Sequence, residues 1–236
     1  EDDHYYFLEL CKKYKIEPLT TIFTRNKLKF LEKLNLNAIK VASFDCASFE
    51  LLKDLSKSNF KKIFISTGAT FDSEILHAKK ILNNKDTTFL HCISIYPTTP
   101  NVANMNRINF LKSINRKVGF SDHSNPDKYG DLLASIAISM KVDVIERHFT
   151  ILKKDKTKDG VVSVNFKQLS RLVKLSKTKK IEIDKKLKKI KNLSLIMGKE
   201  KRELSNEELL NRDYYQGRFA SKIGKRFIFN WEKFNF

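Results

Sequence analysis

No apolar run in this chain approaches the roughly 18 residues that read as a membrane-spanning helix, so no such span is expected. The acidic, aromatic opening EDDHYYF is no signal peptide. Cysteine is scarce: Cys11, Cys46 and Cys92 are odd in number, widely spaced and form no CxxC pair. Neither a disulfide framework nor a thiolate zinc site is indicated, and a reducing cytoplasm fits best. Acidic charge is also short, with 27 Asp and Glu against 46 Lys and Arg, a formal net charge of +19. That excess suits a nucleic acid, an acidic membrane surface or a small anionic substrate. Nine lysines crowd between Lys174 and Lys191, while Leu172, Leu175, Leu187, Ile190 and Leu193 keep a rough helical stripe. The stretch reads as the solvated face of a helix, with a polyanion-binding face as the alternative. It lacks interleaved aromatics and a nucleic-acid motif, so neither a membrane nor a nucleic acid is expected as partner. With 236 residues and 41% apolar content the chain can bury a sizeable core, and one large domain with an appendage is the natural division.

What is present is organised around Lys117–His148, KVGFSDHSNPDKYGDLLASIAISMKVDVIERHF. It reads as a strand ending in Gly119-Phe120-Ser121-Asp122-His123, an apolar-faced helix (Leu132, Leu133, Ile136, Ala137, Met140), and a strand Val142–Ile145 ending in Glu146-Arg147-His148. Such a βαβ unit is parallel and right-handed, so both histidines emerge at the carboxyl edge of the sheet, where α/β sheets hold their ligands. Two imidazoles on one edge are a candidate metal site. Either one alone reads equally as a packed or solvated residue.

The rest of the chain repeats the rhythm. A helix over 1–14 leads to the short strand PLTTIF, then helix 26–34, strand Ala38–Ala42, helix 49–56, strand Lys62–Ser66, helix 73–82, strand Thr88–Ile93 and helix 106–114. Six strands alternate with helices, which predicts an α/β fold of the (β/α)8 TIM-barrel type, incomplete, with about six βα units and the first two missing. The alternative is an open doubly wound sheet. The initial helix, with no strand before it, favours two units upstream of Glu1. After His148 come a loop 150–162 and a closing helix 165–180. We expect residues 1–198 to form the incomplete barrel and 199–236 a linker and the start of a small β-rich module, with a short amphipathic helix at 204–210 and strands turning at Gly217 and Gly224. Two exposed sheet edges predict a chain that is poorly soluble alone or needs a complementing segment.

Chemistry-bearing residues gather at the strand ends. Lys40 alternates with Ile39 and Val41 and so points inside the barrel, where an unpaired ammonium is costly and needs an anion. Thr20, Thr21, Ser43, Ser66, Thr67 and Ser121 sit at or near the ends of four strands, and hydroxyls around one lysine suit a phosphate or carboxylate. Strand-end Ser and Thr also commonly cap the next helix. Asp45 and Asp159 supply carboxylates that could accept a substrate hydroxyl or act as a base, or could be ordinary loop acids.

The ordered segments KVASFD (Lys40–Asp45), ISTGA (Ile65–Ala69), LHCISIYPT (Leu90–Thr98), VGFSDHS (Val118–Ser124), IERHFT (Ile145–Thr150) and TKDG (Thr157–Gly160) resemble the sialic acid synthase family. The resemblance runs from TTIFTR at Thr20 to the start of the C-terminal module. It implies a (β/α)8 barrel followed by a small antifreeze-like domain, and a domain-swapped homodimer. It further implies condensation of phosphoenolpyruvate with an N-acylmannosamine or related diacetamido-trideoxy sugar, using Mn2+, or Mg2+ or Co2+ in its place. By motif, His123 and His148 are the implied metal ligands. Lys40, Thr21, Ser43 and Ser66, with Ser121 beside them, are implied to hold phosphoenolpyruvate. Tyr96, Asp45 and Asp159 are implied to lie around the sugar and to take part in catalysis.

The chain also departs from the family pattern. Asp45 stands where many members have Glu, Ser94 where Asn is common and Ile22 where Pro is frequent; the TKDG loop lacks a Pro-Gly-Pro lead. These departures suggest a variant substrate. The family's first two strands, with a Glu and a second phosphate-binding Lys, and the arginine presented to the partner's active site have no counterpart. Two readings therefore stand: a phosphoenolpyruvate-dependent nonulosonate synthase seen as a fragment or split piece, or a non-catalytic remnant binding metal, anions or a partner chain.

Overall fold

A computed structural model describes residues 2–236. The elements run α1 (Asp2–Tyr14), β1 (Thr20–Ile22), α2 (Leu28–Lys33), β2 (Ala38–Val41), α3 (Phe49–Lys57), β3 (Lys62–Ser66), α4 (Asp72–Ile81), β4 (Asp86–His91), α5 (Arg107–Ile114) and β5 (Lys117–Asp122). They continue with α6 (Pro126–Tyr129), α7 (Leu132–Ser139), β6 (Val144–Arg147), α8 (Phe166–Ser176), α9 (Lys180–Leu187), α10 (Leu193–Met197), α11 (Asn206–Gln216), β7 (Ala220–Ile223) and β8 (Arg226–Phe229). The first six strands form one sheet in the order β1-β2-β3-β4-β5-β6. This is the expected α/β architecture of TIM-barrel type, with six βα units among the described residues. No helix among the described residues is long and apolar enough to cross a membrane.

The chain forms two compact units, one joining the residues up to Thr88 with Arg212–Phe236, the other spanning Phe89–Asn211. In the first, β1, β2 and β3 are parallel, with Thr21 level with Lys40 and Lys40 level with Phe64. Ile22, Ile39, Val41, Ile63 and Ile65 are fully buried, as are Leu51, Leu52 and Leu55 of α3 and Ile75 and Ala78 of α4. The period-2 alternation in the strands meets the i, i+3, i+4 stripe of the helices, which is why these short segments fold as βα units. Strands β7 and β8 form an antiparallel hairpin, turned through Gly224 at a φ of 59° that favours glycine.

In the second unit, β5 and β6 are parallel, with Gly119 level with Val144 and Ser121 level with Glu146. A Cβ at Gly119 would come within 2.3 Å of the Leu90 side chain and 2.9 Å of the Val144 carbonyl oxygen, so only glycine lets the backbone pass this closely. Leu133, Ala134, Ile136 and Ala137 of α7 are buried.

Several boundaries differ from those read off the sequence. Strand β6 covers Val144–Arg147 and not Val142–Ile145. Lys141 adopts a left-handed φ of 56° and the Val142 amide bonds back to Ala137, so Val142 closes the preceding helix and the strand starts two residues later. Asp143 fixes that start, its carboxylate accepting from the Val118 amide at 2.9 Å. The lysine-rich stretch is three helices, α8, α9 and α10, with their buried contacts at Leu172, Ile183, Leu187 and Ile196. All nine lysines from Lys174 to Lys191 are exposed. Helix α11 continues to Gln216, so Gly217 follows a helix and does not turn between two strands as expected.

Candidate functional site

Strands β5 and β6 end level with each other, and their last residues alternate between two faces. Asp122 and Arg147 pair as a buried ion pair at 2.7 Å, with side chains 1% and 4% exposed. Arg147 also donates to the backbone oxygens of Asp122 at 2.9 Å and Ser124 at 3.1 Å, while Asp122 accepts from the Ser124 amide at 2.9 Å. Burial pushes the Asp122 carboxyl above its usual range and the Arg147 guanidinium pulls it back. The Thr98 amide donates to the His123 carbonyl oxygen at 2.9 Å. These bonds fix the turn that carries His123.

On the alternate positions lie Ser121, His123, Glu146 and His148. The Ser121 hydroxyl donates to Glu146 Oε2 at 2.5 Å and lies 3.3 Å from His123 Nε2. The rings of His123 and His148 are 5.3 Å apart between centroids, and the Tyr96 ring lies 4.0 Å from the first and 6.1 Å from the second. His148 Nδ1 is 3.7 Å from Asp159 Oδ2. Asp159 reaches this position because the chain leaves β6 and returns beside it: the Val164 amide bonds to the His148 carbonyl oxygen at 2.8 Å. The return depends on Gly160, where a Cβ would lie 1.9 Å from the Lys154 carbonyl oxygen.

His123, His148, Tyr96, Ser121 and Asp159 are thus together in the second unit. His123 is buried, whereas the side chains of His148 and Asp159 are 35% and 43% exposed, so the cluster has a closed floor and an open mouth. Two imidazoles supply two nitrogen donors, and no group of three or more His, Cys, Asp or Glu able to hold a metal occurs among the described residues. This donor set fits an open ion site whose other positions fall to water or substrate oxygens, not a closed structural site. His91 of the LHCISIYPT segment stands apart. It is buried, its Nε2 lies 2.8 Å from the Ala103 carbonyl oxygen, and burial pushes its pKa down to about 3.

The remaining sequence candidates lie in the first unit. Lys40 is half-buried between the fully buried Ile39 and Val41, level with Thr21. Ser43 is buried, and so is Ser66, whose hydroxyl has no hydrogen-bond partner among the described residues. Asp45 is buried as well, with Oδ1 accepting from Ser48 Oγ at 2.8 Å and Asn230 Nδ2 at 2.9 Å. Burial raises its carboxyl above the usual range, against the lowering effect of the two donors.

Sequence reading passed over Glu146 and Asn230. Glu146 had a signal: Ser121 precedes His123 by two residues and Glu146 precedes His148 by two, the same spacing on neighbouring strands. Asn230 follows β8, and nothing in the sequence ties it to Asp45.

The model of the NeuB family matches residues 1–188. An uncharacterized protein of Methanocaldococcus jannaschii is 35% identical over 73% of this chain and 51% of its own length. The pseudaminic acid synthase of Campylobacter jejuni is 28% identical over 97% of this chain and 63% of its own. The chain therefore spans between half and two thirds of the length of these relatives. Among solved structures, the N-acetylneuraminic acid synthetase of Leptospira borgpetersenii superposes with a TM-score of 0.68 at 27% identity, over 91% of this chain and 70% of that one. The spore coat polysaccharide biosynthesis protein SpsE of Bacillus subtilis shares the fold, with a TM-score of 0.75 at 23% identity over 85% of this chain and 56% of that one.

Proposed function

The chain belongs to the NeuB family, and on that premise we propose that it acts in nonulosonate synthesis, condensing phosphoenolpyruvate with an N-acylmannosamine or a related diacetamido-trideoxy sugar. The observation that carries this reading is the cluster of His123, His148, Tyr96 and Asp159 at the ends of two adjacent parallel strands. A carbon–carbon bond forms between C3 of the enol phosphate and C1 of the open-chain sugar, whose aldehyde oxygen takes up a proton. Water adds at C2, the bond from C2 to the bridging oxygen breaks, and phosphate leaves.

His123 and His148 would hold a divalent ion, Mn2+ by preference, which supplies Lewis-acid polarisation of the aldehyde when bound. Asp159 places its carboxylate charge beside His148 Nδ1, and Tyr96 offers a half-exposed ring beside the imidazoles on which the sugar can rest. Lys40, Thr21, Ser43 and Ser66 bind the phosphate and carboxylate of phosphoenolpyruvate, with Ser121 as a further hydroxyl. The buried, partnerless Ser66 hydroxyl supports that assignment, since an acceptor oxygen would satisfy it. Asp45 takes a sugar hydroxyl. An antifreeze-like identity for residues 199–236 belongs to the same proposal, as does a domain-swapped homodimer for the complete protein.

The test is phosphate release from phosphoenolpyruvate with Mn2+ and N-acylated hexosamines. Release that needs both the sugar and His148 supports the synthase. Metal binding without release points to the non-catalytic reading.

A further inference from the structure

The hairpin that follows α11 reaches the loop after β2 through one side chain. Asn230 is 1% exposed, and its Nδ2 splits its two protons between the Phe23 carbonyl oxygen at 3.0 Å, just past β1, and Asp45 Oδ1 at 2.9 Å. Its own carbonyl oxygen accepts from the Leu51 amide of α3 at 3.0 Å. The turn beyond it is anchored separately. Arg25, 2% exposed and paired with Asp54 at 2.6 Å, donates to the carbonyl oxygens of Glu232 at 2.5 Å and Phe234 at 2.8 Å. Asn230 is therefore placed by groups other than Asp45, and it imposes that placement on the carboxylate.

We propose that Asn230 is a positioning residue for the reaction, locking the Asp45 carboxylate from 185 residues away so that one of its oxygens is aimed at the sugar. The inference rests on the reading of Asp45 as the sugar-side carboxylate. Both donors, Ser48 Oγ and Asn230 Nδ2, meet Oδ1, and Oδ2 is the oxygen that neither takes. A carboxylate gripped at one oxygen by two neutral donors loses its rotational freedom. The side chain at 230 must be an amide for this, because it donates in two directions at once. Asn230 Oδ1 is left buried with no hydrogen-bond partner among the described residues, a cost that a residue serving packing alone would not carry. The opposing effects on Asp45 agree: burial drives the carboxyl toward the neutral acid, and Asn230 and then Ser48 oppose it.

Two variants, each removing one donor from Asp45 Oδ1, test the inference on the full chain: Asn230→Ser, which disturbs the hairpin, and Ser48→Ala, which leaves it alone. Steady-state kinetics with phosphoenolpyruvate, Mn2+ and N-acetylmannosamine should show the sugar KM raised about tenfold or more in Asn230→Ser and in the same direction in Ser48→Ala. The KM for phosphoenolpyruvate should stay within about twofold in both. Hydrogen exchange should show loss of protection confined to 43–51 and the hairpin in Asn230→Ser. A sugar KM unchanged in Asn230→Ser, or both KM values moving together, overturns the inference. If the wild-type chain releases no phosphate while the exchange change still appears, the synthase reading falls and the link from the hairpin to Asp45 stands. Unchanged exchange over 43–51 overturns the link itself.

Discussion

Asp122 and Arg147 face each other across two parallel strands, 2.7 Å apart and almost wholly shielded from water, and the loop bearing His123 hangs from that pair. Removing one partner leaves an uncompensated buried charge, which costs about 3–5 kcal/mol. Arg147→Ala should therefore lower the urea midpoint sharply at neutral pH. The Asp122 carboxyl is already raised by burial, and a raised acid contributes stability that is present at low pH and lost as pH rises through the folded pKa. The penalty of Arg147→Ala should accordingly shrink as pH is lowered. A penalty independent of pH would contradict the pairing.

His91 carries the opposite sign. Its pKa is pushed down from 6.5 to about 3, so between those values the unfolded chain binds a proton that the folded chain does not. Stability from this group is full above about pH 6.5 and falls as pH drops toward 3, by about 1.4 kcal/mol per pH unit. Urea titrations at several pH values should show that slope in the wild type. It should flatten in His91→Asn, whose amide can still donate to the Ala103 oxygen.

Gly160 admits no side chain, since a Cβ would collide with the backbone of Lys154. Gly160→Ala should displace the turn carrying Asp159 while leaving β5 and β6 intact. The expected result is a loss of sugar-dependent phosphate release of at least about tenfold, with thermal unfolding shifted by only a few degrees. A fully active Gly160→Ala chain would remove Asp159 from the site.

The βα rhythm was legible because period-2 strands and amphipathic helices alternate at short intervals, and the six strands appear where apolar runs stop at polar clusters. The two histidines could be found for the same reason, each closing such a run. The start of β6 was harder to read: the β-branched residues begin at Val142, and only the left-handed Lys141 and the bond from Val142 back to α7 show that the strand begins later. A shift of two residues leaves Glu146 on the same face, so the signal for it was its two-residue spacing from His148. Contacts such as Asn230 with Asp45 bridge 185 residues between two polar side chains, and neither periodicity nor composition encodes a pairing of that kind. Likewise, the lysine-rich stretch reads as one helix by composition, while its breaks near Lys177 and Lys188 rest on local capping.

His148 and Asp159 lie 3.7 Å apart with both side chains partly exposed, beyond a hydrogen bond but close enough for the carboxylate charge to act at the ring. Asp159→Asn should weaken Mn2+ binding by about tenfold or more and lower turnover with it. Calorimetric titration of Mn2+ into the two chains checks this, and equal affinities would count against the contact.

The most direct test of the account is phosphate release from phosphoenolpyruvate with Mn2+ and a panel of N-acylated hexosamines, run on this chain and on His123→Ala. The account predicts sugar-dependent release that falls by about a hundredfold or more in the variant. Release that is absent from the wild-type chain, or that persists unchanged in His123→Ala, would contradict it.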